Sequence, residues 1–142
     1  MIAEANLRIE HACARLVQHY ANLNDARRWE EVAGLYTEDG IFCRPSAPGE
    51  EIRGRAAILD SLLARPGRVT CHIVTNVVVD VVSESEARAF SRIVLYQAEP
   101  GSDGQVAQHS LAQPLIGAFT DRLVLLSEGW KFSERRGTIT IR

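Results

Sequence analysis

The order of hydrophobic patterns along the chain limits its fold more than any other feature. Helix-like periodicity dominates up to about Ala64, and from Val69 strand-like patterning runs on without returning to helix. Ile9, Ala12, Cys13, Leu16 and Tyr20 recur at three- and four-residue spacing, which predicts one helix from about Ile2 to Asn24. Trp29, Val32, Ala33 and Tyr36 predict a second, from about Arg28 to Tyr36, closed by the turn chemistry of Glu38-Asp39-Gly40. After a short strand at Ile41 to Arg44 and a loop from Pro45 to Glu51, Gly54 to Ala64 reads as a third helix, stopped by Pro66-Gly67. From Val69 onward the pattern is extended: strands over Val69 to Val82, Ala87 to Gln97, Gln105 to Leu126 (interrupted at Pro114) and Trp130 to Ile141, separated by Ser83-Glu84-Ser85, Glu99 to Gly104 and Ser127-Glu128-Gly129. Helices followed by an antiparallel meander imply an α+β fold, a curved sheet wrapped round N-terminal helices with a pocket between the two.

Composition excludes several classes. The 142 residues suit one domain, spanning 1–142, and a hydrophobic share of 46% supplies a core. A net charge of -2, with only the short pairs Arg27-Arg28 and Arg135-Arg136, gives no footprint for nucleic acid. No apolar run reaches membrane-spanning length and the N-terminus has no apolar signal core, so no membrane partner and a cytoplasmic location are expected. Three cysteines far apart, Cys13, Cys43 and Cys71, form neither a disulfide framework nor a zinc ribbon; Cys13 and Cys71 are expected to be buried thiols. Glycine-rich phosphate loops and nucleophile elbows are lacking, and His11, Asp25 and His72 have no metal-ligand spacing, so neither cofactor nor metal is expected.

Two residues intrude on apolar surfaces. Asp25 continues the helix row Ala14, Val17, Ala21, where an unpaired carboxylate is costly; it either caps the second helix or faces a cavity. His72 shares a strand face with Thr70, Val74, Asn76 and Val78, by two-residue alternation. It is either a satisfied core histidine or a base whose tautomer a carboxylate fixes. The opposite face of that strand, with Ile73, Val77, Val79 and Val81, is also apolar, which implies a homo-oligomer, dimer or trimer, buried through the convex side of the sheet. Tyr20, Trp29 and Phe119 are candidates for the pocket lining, or for plain core. His109 reads as an exposed strand end, and Asp121 as the partner of an arginine.

The segments NDARRWEEVAGLYTEDGIF, TCHIVTNVVV and EGWKFSERR, with Gly54-Arg55 opening a helix between the first two, resemble the SnoaL-like, nuclear transport factor 2-like superfamily over nearly the whole chain. Within it the chain resembles scytalone dehydratase and hexachlorocyclohexane dehydrochlorinase. The resemblance implies a cone-shaped, cystatin-like fold and an acid–base pair at Asp25 and His72. It also implies that the substrate anchors differ: Asn24 stands where scytalone dehydratase has a tyrosine, Cys43 near its water-holding tyrosine, Gln97 near its second histidine, and Gly117 and Phe119 near its serine and asparagine. The activity it implies is a cofactor-independent lyase or isomerase acting on a small hydrophobic, aromatic or polycyclic molecule. The alternative is a non-catalytic ligand-binding or structural subunit, such as the small subunit of an aromatic-ring-hydroxylating dioxygenase.

Overall fold

The computed structural model describes residues 2–109 and 113–142. Along the chain run α1 (Ile2–Asp25), α2 (Trp29–Ala33), β1 (Tyr36–Cys43), β2 (Ile52–Arg53), α3 (Arg55–Leu63), β3 (Val69–Ser83), β4 (Glu86–Ala98), β5 (Leu115–Leu126) and β6 (Gly129–Ile141). The strands form one unclosed sheet in the order β2-β1-β6-β5-β4-β3. β3 to β6 pair as the antiparallel meander that the turn residues require, whereas β1 joins the edge of β6 in parallel. The core lies between the helices and the concave side of the sheet. There Cys13, Val17 and Tyr20 of α1 meet Val32, Tyr36, Phe42, Leu123 and Phe132, each nearly or fully buried. The α1 periodicity is thus the stripe that burial stabilises, by about 1.5–3 kcal/mol for each large side chain fully buried.

Three strands depart from simple alternation. The second helix is shorter than expected, and Tyr36 opens β1 instead of closing α2. The turn-like Glu38-Asp39-Gly40 sits within β1, at a register shift between Tyr36 and Ile41 against β6, so it bends a strand instead of ending a helix. A β-carbon at Gly40 would lie 3.0 Å from Tyr36 Cβ and 3.1 Å from the Thr37 carbonyl oxygen, which explains the glycine. In β3 the register moves from Thr75 opposite Arg92 to Val78 opposite Phe90, one residue more than β4 supplies. Asn76 absorbs it in the left-handed region (φ 54°), a conformation asparagine tolerates. The faces expected beyond Thr75 are therefore exchanged: Val77, Val79 and Val81 turn toward the helices, while Val78 and Val82 turn outward. In β6 a shift between Arg122 and Leu123 of its partner leaves Ser133 extra and re-aims Arg135 inward.

Two further expectations change. Cys71 is exposed, because it lies on the outer face of β3, while Cys13 and Cys43 are buried. Burial pushes the Cys13 thiol up to about 12, which makes it an inert apolar group. The extended run expected from Gln105 resolves into a strand only from Leu115; His109 is exposed, and residues 110–112 of that run lie outside the described residues. No helix among the described residues is long and apolar enough to cross a membrane.

Candidate active site

α1 ends in a Schellman turn. The Arg28 N–H reaches the Leu23 carbonyl and the Arg27 N–H the Asn24 carbonyl, both at 3.0 Å, with Arg27 left-handed at φ 57°. A non-glycine residue there carries a cost of about 1–3 kcal/mol. The Arg27 guanidinium offsets it by donating to the Pro66 carbonyl at 2.9 Å and the Arg65 carbonyl at 3.4 Å, which ties the end of α1 to the connection before β3. Asp25, the last residue of α1, is thereby presented to β3. It does not cap α2, whose N-cap is Arg28.

Asp25 and His72 meet. His72 Nδ1 lies 2.5 Å from Asp25 Oδ1, the His72 backbone N–H donates to Oδ2 at 2.7 Å, and the Thr70 hydroxyl donates to Oδ1 at 2.9 Å. Burial raises the pKa of this carboxyl, but the hydrogen bonds from the His72 ring and backbone, the His72 charge and the Thr70 hydroxyl together hold it below its ordinary value. When the imidazole is neutral, an ionised Asp25 favours the tautomer with Nδ1–H, which leaves the Nε2 lone pair free. Both side chains are largely covered, His72 at 14% and Asp25 at 21% side-chain exposure, yet neither is sealed off.

His72 lines a cavity of about 320 Å³ between the end of α1, the α3–β3 connection and the concave sheet. Ligand pockets start at about this size. Tyr20, Asn24, Trp29, Gln97 and Phe119 line it with His72. Cys43 does not, contrary to expectation: alternation along β1 aims Phe42 and Arg44 at the cavity and turns the Cys43 thiol to the other face, 3.4 Å from Arg136 Nη1. Gly117 lines the wall, where a β-carbon would come within 2.4 Å of the Thr138 carbonyl, so no side-chain anchor can project there.

The cavity floor holds what periodicity alone did not reveal. Arg135, 2% exposed, donates through Nε to Asp121 Oδ1 at 3.0 Å and through Nη2 to Oδ2 at 3.5 Å, and Asp121 is 1% exposed. Its guanidinium carbon lies 4.0 Å from the Phe119 ring centroid, 4.2 Å from that of Tyr20 and 4.8 Å from that of Phe132. The Tyr20 and Tyr36 hydroxyls are 2.8 Å apart beside it. Asp121 is thus a second inward carboxylate beside Asp25; it shares a β5 face with Phe119 and Leu123, a signal that alternation carried. Among the described residues, no group of three or more His, Cys, Asp or Glu side chains is placed to hold a metal.

A family model described as a SnoaL-like domain matches residues 5–136. The chain belongs to the SnoaL-like family. Its fold recurs among solved structures. A protein from Novosphingobium aromaticivorans, provisionally named a scytalone dehydratase, superposes with a TM-score of 0.79 at 26% identity, covering 98% of this chain and 89% of that one. A protein of unknown function from Mycobacterium tuberculosis gives 0.76 at 25% identity over 98% and 75%. A Catenulispora acidiphila protein in complex with S-DNPA gives 0.69 at 21% identity over 91% of each chain. No curated protein matches the sequence. This SnoaL-like chain therefore has the cone fold that its element order implies.

Proposed function

We propose that this SnoaL-like protein is a cofactor-independent lyase or isomerase of dehydratase type. The observation that carries the reading is the contact of Asp25 with His72 Nδ1 on the wall of a largely apolar cavity. His72 Nε2 takes an acidic C–H proton from the substrate. Asp25 fixes the ring orientation and stabilises the imidazolium that forms. In an elimination a hydroxyl or halide on the adjacent carbon departs as the C=C bond forms; a leaving hydroxide takes the proton back from Nε2 and is released as water. In an isomerisation the proton returns to a different carbon. Tyr20, Asn24, Trp29, Gln97 and Phe119 contact the substrate, a small molecule with an aromatic or polycyclic body. A purely structural subunit would have no use for an aligned Asp–His pair facing a cavity, which favours the catalytic reading over the non-catalytic one.

The test is turnover of a panel of one- and two-ring β-hydroxy and β-halo carbonyl compounds, followed by loss of the acidic proton and release of water or halide. Turnover by the native protein and its loss in His72→Ala support the reading. Turnover that persists in His72→Ala, or binding of the panel without any turnover, overturns it.

The same protein works as a homo-oligomer, dimer or trimer, in the reducing cytoplasm. The outer sheet face supports this even after the exchange at Asn76: Ile73, Val78 and Val82 of β3 are 48%, 56% and 52% exposed beside Phe90 and Tyr96 of β4. Sedimentation at micromolar concentration is expected to give a multimer, and Ile73→Lys with Val78→Lys a smaller species. A native monomer would refute the assembly without touching the chemistry.

A further inference from the structure

The cavity carries a charge asymmetry that an apolar substrate leaves unexplained. Arg27, Arg44 and Arg65 all line it, on the side of the α1 end, the β1 end and the α3–β3 connection. Unlike Arg135 at the floor, none of the three has a carboxylate within salt-bridge distance among the described residues. Arg68, also on the rim, has only an exposed Glu99 at 3.8 Å. Arg65 is half-buried, stacked 5.4 Å from the Trp29 ring centroid, and donates Nη1 to Asn24 Oδ1 at 2.9 Å. That spends one of its five donors. Arg27 is spent on two carbonyls and covers the same ring at 5.1 Å. Arg44 is half-buried and its side chain has no hydrogen-bond partner among the described residues. Burial lowers the Arg65 pKa; Tyr20 opposes this, and the charges of Arg44 and Arg27 add to the lowering, with Tyr36 opposing them. Like charges gathered without counter-ions oppose folding, so an arrangement of this kind is stabilised when an anion enters.

We infer that the substrate is an acid: an apolar ring body in the cavity beside His72, with a carboxylate at its outer end held by Arg65 and Arg44. The inference rests on the proposed reading of the cavity as a substrate site and narrows its class. Guanidinium groups match a planar carboxylate through paired N–H donors, and Arg65 is already oriented by Asn24 and Trp29. Asn24 adjoins Asp25, so the anion site and the base are anchored to the same turn of α1. The carboxylate sits at the rim and the acidic C–H farther in, so the negative charge stays away from the carbon that gives up its proton.

The experiment uses a charged probe and its neutral isostere, 2-naphthoate and 2-naphthamide, followed by calorimetry and by Trp fluorescence. Naphthoate is expected to bind at least about tenfold more tightly than the amide. The preference should weaken as salt rises and collapse in both Arg65→Gln and Arg44→Gln. Arg44→Gln serves because Arg44 has no side-chain hydrogen bond to lose, and thermal melts check both variants. His72→Ala should keep the preference, which separates this inference from the catalytic one. Equal affinity for the two probes, no binding of naphthoate at millimolar concentration, or an undiminished preference in folded Arg65→Gln and Arg44→Gln overturns the inference. The proton-abstraction reading would then stand or fall on His72 alone.

Discussion

Replacing Arg135 with methionine is expected to destabilise the protein by about 3–5 kcal/mol. Asp121 and Arg135 face each other across β5 and β6, and both are almost fully buried. Burial pushes the Asp121 carboxyl up, and Arg135 only partly offsets this. Methionine keeps much of the volume but leaves a carboxylate without a counter-ion in the core. The sign of the pH dependence follows. With Arg135 gone, the folded pKa of Asp121 rises further above the unfolded value of about 3.9. A raised acid contributes stability below the unfolded pKa and loses it as pH climbs through the folded one. The deficit of Arg135→Met should therefore shrink as pH is lowered from 8 toward 4. Its melting temperature at neutral pH should fall by on the order of 10 °C. The double variant Asp121→Leu with Arg135→Met removes both charges and should recover most of the loss. Urea melts of the three variants across that pH range decide the matter. A single-variant cost below about 1 kcal/mol would mean that the pair is solvated and contributes little.

The same pair marks where sequence reading stops. The helix stripe, the order of elements, the inward Asp25 and the strand face of Thr70 and His72 were legible, because each depends on local period and on nothing farther along the chain. Asp121 was legible in part: Phe119, Asp121 and Leu123 alternate on one face of β5, and the expected arginine partner is there. The identity of that arginine was not legible. From Phe132, two-residue alternation points Glu134 inward; the extra residue at Ser133 delivers Arg135 instead. Asn76 exchanged the faces of β3 in the same way, and the shift between Tyr36 and Ile41 turned an expected helix end into a strand. A bulge is fixed by pairing with a distant strand, so neither propensity nor period announces it. Cys43 failed on a smaller scale, since resemblance locates a neighbourhood and alternation then decides between Phe42 and Cys43. The rim arginines escaped for a different reason: Arg27, Arg44 and Arg65 lie on three connections, and a charge cluster assembled by tertiary contact leaves no run in the sequence.

Asp25→Asn and His72→Ala are each expected to lower turnover by on the order of 10²–10⁴, and they should do so for different reasons. Removing the imidazole removes the base. Replacing the carboxylate by an amide keeps the size of the side chain and removes its charge. The amide N–H₂ can donate to Nδ1, which moves the ring proton to Nε2 and takes away the lone pair the reaction needs. Stability responds separately. Asp25 accepts from the His72 ring, the His72 N–H and the Thr70 hydroxyl, and asparagine gives up part of that set, at about 1–2 kcal/mol. The folded pKa of Asp25 lies below its unfolded value, so its contribution is complete above about pH 4 and is lost as pH falls through the depressed value. The gap in stability between the native protein and Asp25→Asn should therefore be widest near neutrality and narrow as pH falls below about 4. A catalytic pair gives a rate loss far larger than the small fraction of protein that a loss of 1–2 kcal/mol unfolds at 25 °C. A structural pair gives the stability gap alone, with turnover per folded molecule unchanged. Turnover corrected for folded fraction, measured on both variants beside their melts, tells the two apart; an unchanged corrected rate in Asp25→Asn would remove the carboxylate from the mechanism.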